Sequence, residues 1–185
     1  GNLGTTQNFI SAATGTSDPT HTTFRFNGAS SIIFAGWSGV YFNSNATFRD
    51  VSAWYHIVAV LDTTNATASD RIKVYVNGER LTGSNPVSIG SSVDLAINNT
   101  QEHSIGRSNY NTGSSYLDGY LSDVYFIDGQ ALDPTGFGDT VDGYWTAKDD
   151  SGTYGTNGVH LTFAYYASSE GVNAVSYSGS GANQS

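Results

Sequence analysis

The stretch Arg71-Ile72-Lys73-Val74-Tyr75-Val76-Asn77-Gly78 constrains this chain more than any other. Ile72, Val74 and Val76 fall on one face of an extended segment and Arg71, Lys73 and Tyr75 on the other, the period of a strand with one wet side. Asn77-Gly78 then supplies the two residues that best tolerate positive φ in a two-residue hairpin turn, and Glu79-Arg80-Leu81 returns. Elsewhere Gly, Ser, Thr and Asn crowd between short apolar runs where helix formers would stand. The 12 Tyr, 9 Phe and 3 Trp suit a pleated surface. The fold class is therefore all-β, and 185 residues are enough for one domain with a real core.

Around that hairpin the other segments fall into order. Phe9-Ile10 is a short strand or an anchored arm. Phe24-Arg25-Phe26, the turn signal Asn27-Gly28 and the return Ser31 to Ala35 read as a hairpin with a two-residue loop. Val40-Tyr41-Phe42 and Thr47-Phe48-Arg49 read as two strands separated by a turn around Asn43 to Asn45. Trp54 to Leu61 is almost continuously apolar, as in a central strand, and His56 within it reads as a core histidine with a hydrogen-bonded ring rather than a catalytic one. Residues 82 to 102 are mostly loop, with Val87-Ser88-Ile89 and Val93 to Ile97 as strand fragments.

Leu117 to Ile127 is strand-like but has a parity defect. Leu121 faces opposite to Val124 and Phe126 unless one residue is inserted at Ser122-Asp123, which predicts a β-bulge there. Asp133-Pro134 pairs an N-cap residue with Pro at the first helical position, so at most one short helical turn is expected, at this point. Residues 138 to 158 read as a long loop, and Val159, Leu161 and Phe163 as a last strand. The expected domain spans 1–166. Residues 167–185 lose all periodicity and read as a Gly/Ser-rich tail or linker, or a segment ordered by a neighbour.

Charge and composition remove several functions. A net charge of −9 with seven Lys and Arg leaves no basic stripe for a phosphate backbone, so neither nucleic acid nor an anionic membrane surface is an expected partner. No apolar run is long enough to span a bilayer. There is no Cys, so nothing depends on redox compartment. Four Asn-x-Ser/Thr sequons, at Asn45, Asn65, Asn98 and Asn183, match chance for this composition. With no Met, either the initiator was trimmed before Gly1 or the chain is cut from a longer polypeptide. Asn2 to Thr16 has neither the charged region nor the apolar run expected of a signal peptide.

Several motifs together carry a resemblance. Trp54-Tyr55-His56-Ile57-Val58, Tyr75-Val76-Asn77-Gly78, Ile105-Gly106-Arg107 and Asp118-Gly119-Tyr120-Leu121-Ser122-Asp123-Val124, followed by Ala131-Leu132-Asp133-Pro134, resemble laminin G-like domains of the concanavalin A-like superfamily. The resemblance covers residues 45 to 165 and implies a two-sheet antiparallel jelly-roll sandwich. Phe126-Ile127-Asp128-Gly129-Gln130-Ala131-Leu132 with Phe137-Gly138, and Tyr154-Gly155-Thr156-Asn157-Gly158, resemble the version found in virion proteins of marine bacteriophages. Such domains usually begin with a Trp-rich strand ahead of the Gly1-Asn2-Leu3-Gly4 position. This implies that a first strand is missing or supplied by another chain.

These residues bear on three classes of function. Retaining glycoside hydrolysis needs two carboxyls about 5 Å apart, which positions i and i+2 of a strand deliver. No two acidic residues here are so spaced, and the only Glu are Glu79, Glu102 and Glu170, so the chain is not expected to be an enzyme. No metal site is written in the spacing of His21, His56, His103 and His160, and no cofactor is expected. The resemblance raises Ca²⁺ at Asp62, Asp70, Asp94 or Asp128, against the plainer reading of solvated loop acids. Carbohydrate binding would use exposed aromatics with Asn and Asp partners. Ser108-Asn109-Tyr110-Asn111-Thr112-Gly113 has that composition, and Asn109, Tyr110, Asn111, Trp145 and Tyr154, with Tyr144 beside them, are the ligand-binding candidates, set against packing or interface roles for the same rings. The resemblance implies a structural module at a virion surface, extracellular, as capsid decoration or tail fibre. Its implied partners are other virion subunits, copies of itself or host-surface glycans.

Overall fold

A computed structural model describes residues 3–15, 20–110, 115–167 and 173–179, with backbone alone for 164–167 and 173–179. In chain order the strands are β1 (Gln7–Ala12), β2 (Thr22–Phe26), β3 (Ser31–Gly36), β4 (Gly39–Thr47), β5 (Ile57–Leu61), β6 (Ile72–Val76), β7 (Glu79–Arg80), β8 (Gly83–Ser84), β9 (His103–Ile105), β10 (Val124–Phe126), β11 (Gly138–Val141), β12 (Tyr144–Ala147), β13 (Val159–Ala167) and β14 (Asn173–Gly179). The chain divides into two compact units, residues 1–118 with 131–149, and residues 119–130 with 150–185.

The first unit is an antiparallel sandwich. One sheet has the order β8-β4-β3-β2-β1-β9, the other β5-β6-β7, and β11-β12 form a separate hairpin. Their shared core joins Phe24, Ile32, Phe34, Tyr41 and Phe42 of the large sheet to Ile72, Val74 and Val76 of β6. Ile32 and Val74 are wholly buried, each contributing roughly 1.5–3 kcal/mol of apolar burial. Alternation alone would not fill this core, and two bulges correct it. In β1, Asn8 pairs with Arg25 and Ile10 with Phe24, so the inserted Phe9 faces inward with Ile10 and meets the Phe24 and Phe26 rings at 5.2 and 4.7 Å. In β4, Phe42 pairs with Phe34 and Val40 with Ala35, which brings both Tyr41 and Phe42 into the core.

The Arg71–Gly78 reading holds throughout. Ile72, Val74 and Val76 are buried, Lys73 and Tyr75 are half-buried, and Asn77 and Gly78 have φ of 51° and 80° in a two-residue turn that pairs Val76 with Glu79. Asp133 caps a 3₁₀ turn over Pro134–Gly136, its Oδ1 accepting from Thr135 N at 2.9 Å. A second 3₁₀ turn, Ala68–Asp70, stands where only loop was expected.

Other expectations are corrected. Asn27-Gly28 is not a two-residue turn. Asn27 Oδ1 accepts from the N–H groups of Ala29 and Ser31, and Ser30 takes the positive φ of 65° in a longer loop. In place of the two strands expected between Val40 and Arg49 there is one, β4, which runs through Asn43 to Asn45 by means of its bulges and ends at Thr47, leaving Phe48 and Arg49 outside it. Trp54 is 67 % exposed, and β5 begins only at Ile57 and pairs only with β6, so this stretch is not a central strand. The fragments at Val87 to Ile89 and Val93 to Ile97 are not strands, although Ile89 and Ala96 are buried. Residues 138 to 147 are a hairpin rather than loop, turned by Asp142-Gly143 with φ of 51° and 84°; its mostly exposed flanks carry no apolar alternation.

The second unit has one sheet, order β10-β13-β14. The expected strand from Leu117 shrinks to Val124–Phe126. Asp123, where a bulge was expected, has φ of 51° immediately before the strand instead of interrupting it. In β13, His160 is buried while Phe163 is exposed with φ of 50°, so Val159, Leu161 and Phe163 do not form one buried face. The segment read as tail contributes β14, whose backbone pairs with β13.

Candidate functional site

The large sheet has a second face, opposite the core. Strand alternation puts Thr23 and Arg25 of β2 and Ile33 and Ala35 of β3 on it, and extends to His21 just before β2 and Trp37 just after β3. Ser11, paired with both Thr23 and Ser104, lies on the same face and anchors the chain that crosses it. Ser11 Oγ donates to Arg107 O at 3.0 Å and accepts from Asn109 N at 2.9 Å. Asn109 Oδ1 accepts from Ser104 Oγ at 2.5 Å, and its Nδ2 donates to Glu102 O at 3.0 Å.

These bonds fix where Tyr110 goes. Its ring stacks on His21 with centroids 3.6 Å apart and planes 18° from parallel. Trp37 meets the same His21 edge-on at 6.4 Å and is 60 % exposed. Three rings from three separated segments thus share one end of the sheet, with an indole open to solvent. Such a group can stack on the C–H face of a sugar ring and exclude water from it.

Of the residues singled out from sequence, Tyr110 belongs to this cluster. Asn109 is buried with both ends of its amide engaged, so it holds the loop that presents Tyr110. Asn111 lies outside the described residues. Trp145 is engaged elsewhere in the first unit. Its Nε1 donates to His56 Nδ1 at 3.0 Å, and the backbones of Gly78 and Gly138 lie against its indole. His56 is half-buried just ahead of β5, its backbone N–H donating to Asn77 Oδ1 at 2.9 Å. Burial lowers its pKa, in keeping with an unprotonated Nδ1 that accepts the indole proton. Tyr144, next to Trp145, is 78 % exposed.

Tyr154 belongs to the second unit. Its hydroxyl donates to Asp150 O at 3.2 Å, and its ring meets Tyr125 and His160 edge-on. His160 stacks on Tyr125 at 3.8 Å and its Nε2 lies 3.3 Å from Asp123 Oδ1.

The acids raised for Ca²⁺ are dispersed. Asp62 Oδ1 accepts from Thr64 N and Oγ1 at 3.0 and 2.6 Å, bonds that hold its carboxyl below the usual range. Asp70 pairs with Arg80 at 2.7 Å, Asp128 Oδ2 accepts from Asn157 N at 3.2 Å, and Asp94 is exposed. Among the described residues, no three His, Asp or Glu side chains gather closely enough to hold a metal ion.

Sequence reasoning missed Trp37 and His21. Trp37 stands between Gly36 and Ser38-Gly39, a large aromatic in a tight turn and in phase with Ile33 and Ala35, which was the available signal. A family model described as the concanavalin A-like lectin/glucanases superfamily matches residues 1–135, reaching well before the first resembling motif. No curated protein and no solved structure matches the chain.

Proposed function

The chain belongs to the concanavalin A-like lectin/glucanases superfamily, and on that premise we propose that it is a carbohydrate-binding module that acts without catalysis. Its glycan surface is the Trp37–His21–Tyr110 end of the large sheet's outer face. One observation carries this reading: Trp37 is 60 % exposed beside two rings already stacked at 3.6 Å, a preformed platform that costs little ordering on binding. The reading without catalysis rests on the scarcity of Glu and the lack of any acidic pair at i, i+2. A glycan array probed with the wild-type chain, Trp37→Ala and Tyr110→Ala tests it. Wild type is expected to retain a restricted set of glycans that Trp37→Ala loses. Equal binding by Trp37→Ala, or none by wild type, sinks the reading.

The place of action is a virion surface, where the module contacts other virion subunits or copies of itself and touches neither nucleic acid nor membrane. The likeness of Phe126 to Leu132 and Tyr154 to Gly158 to phage virion motifs supports this. No described helix is long and apolar enough to cross a membrane. Mass spectrometry of purified particles from a producing lysate is the check. Recovery of the chain at stoichiometric copy number is expected, and its absence from intact particles refutes virion placement.

A further inference from the structure

The outer face of the large sheet ends in a row that strand register builds from four segments. Ser104, Ser11, Thr23 and Ala35 are partners across β9, β1, β2 and β3. Two residues beyond each of them, and so on the same face, stand Glu102, Ala13, His21 and Trp37. Ala13 N donates to Glu102 O at 3.0 Å, which carries the pairing out to this row. With strands about 4.8 Å apart, Glu102 and Trp37 stand about 14 Å from each other, and the His21 ring with Tyr110 stacked on it lies between them.

The Glu102 end of the row is charged and open to solvent. Arg107 Nη2 donates to Glu102 Oε1 at 2.9 Å, and the two side chains are 47 % and 66 % exposed. Arg107 Nε also donates to Ser104 Oγ at 3.0 Å, and that buried hydroxyl donates in turn to Asn109 Oδ1. Asn109 Nδ2 donates to Glu102 O, so the residue ahead of Tyr110 is tied to both members of the pair.

Other exposed ion pairs are held more simply. Arg80 meets Asp70 through Nη2, and Lys148 meets Asp139 through Nζ. Arg107 is fixed at two nitrogens, one of them on a buried hydroxyl, so its fork is set before any ligand arrives. Exposed ion pairs contribute little to stability, and the fold does not account for one held this firmly. Among the described residues, neither Glu102 Oε2 nor Arg107 Nη1 has a hydrogen-bond partner. An acceptor oxygen and a donor N–H thus stand side by side on exposed side chains at the aromatic end.

That arrangement matches two adjacent hydroxyls. One donates to the carboxylate oxygen while its neighbour accepts from the guanidinium, and both bonds are charge-assisted. A lone hydroxyl would use half of the site, and an anion would find the Arg107 charge already matched by Glu102. Sugar rings next along the same glycan then meet the aromatic rings with their apolar faces.

We propose that Glu102 and Arg107 form the polar subsite of this surface and select neutral sugars that carry a vicinal diol. This rests on the reading of the aromatic end as a glycan surface and names what sets its specificity.

The test titrates the full ¹⁵N-labelled chain with the methyl pyranosides of glucose, mannose and galactose, each against its fully O-methylated form, and follows the Arg107 Nε–H resonance. A shift with at least one intact sugar and none with its methylated form is expected. On the glycan array, Arg107→Lys keeps the charge without the fork, and Glu102→Gln puts a donor where an acceptor is needed. Each should bind about tenfold more weakly than wild type, the scale of one charge-assisted hydrogen bond. Asp139→Asn, which breaks the exposed pair with Lys148, should bind as wild type. The titration uses unaltered protein and answers the question even if a variant fails to fold. No shift with any of the three sugars, equal shifts with the methylated forms, or equal weakening by Asp139→Asn overturns the proposal. If Trp37→Ala loses glycans that Arg107→Lys and Glu102→Gln keep, the glycan surface stands and the diol subsite falls. If intact sugars shift Arg107 while Trp37→Ala binds normally, the subsite stands and the aromatic platform falls.

Discussion

Trp145 and Trp37 are both indoles beside a histidine, in loops or strands of the first unit, and their surroundings differ in kind. Trp145 finds a matched acceptor in His56 Nδ1 and two glycine backbones, Gly78 and Gly138, that leave room for its ring. Trp37 meets only the edge of His21 and leaves most of its surface to water. Residue type does not separate a tryptophan that fastens a fold from one that can meet a ligand. Backbone clearance and a hydrogen-bond partner do, and both come from distant sequence: Gly78 and His56 precede Trp145 by more than sixty residues.

Four measurements break or sharpen that contrast. The largest effect is expected from Gly78→Ala. A Cβ there would lie 2.9 Å from Trp145 Cδ2 and closer still to the benzo ring, at a φ of 80° that favours glycine, so urea unfolding should show a loss of about 3 kcal/mol. Trp145→Ala should lose about 2 kcal/mol, since a half-buried ring forfeits less than a core one, and it should leave glycan retention intact. In the Trp145→Ala background, Gly78→Ala should cost only the backbone share, about 1 kcal/mol; full additivity would show that the ring and the glycine are not coupled.

The third effect is a pH dependence. Folded His56 is less basic than its ordinary value of 6.5, so as pH falls below that value the unfolded chain takes up a proton that the folded chain refuses. His56 therefore contributes its full stability above about pH 6.5 and loses it through the window below, until the folded ring also protonates and gives up the Trp145 bond. Wild type should lose more of its unfolding midpoint than His56→Gln across that window, and parallel curves would refute the tie. The smallest effect belongs to Trp37→Ala, under about 0.5 kcal/mol because little of the ring is buried. A larger loss would make Trp37 a packing residue and remove its claim as a recognition surface.

What the sequence disclosed follows how local each determinant is. The buried set Ile72, Val74 and Val76, the Asn77-Gly78 turn and the Asp133 cap were legible because each is settled within about five residues. Asn27-Gly28 carries the same dipeptide as Asn77-Gly78 but yields a different loop, since the Asn27 side chain binds Ala29 and Ser31 instead of leaving the turn to the backbone. β4 was hidden by its bulges, which scramble alternation, and Asp142-Gly143 by flanks exposed on both faces. Of the candidate site, Tyr110 was legible by loop composition. Its neighbours His21 and Trp37 were not, because only the pairing of β1, β2 and β3 brings them to it.

The inserted Phe9 works as a phase shifter. Asn8 and Ile10 stand two positions apart and in an unbroken strand would share a face, yet one turns outward toward Arg25 and the other inward toward Phe24. β1 thus holds two reading frames joined by a one-residue slip. The frame before the slip fastens the chain that crosses the outer face, through Asn8 and Ser115, while the frame after it fills the aromatic interior, so one strand serves two layers at once.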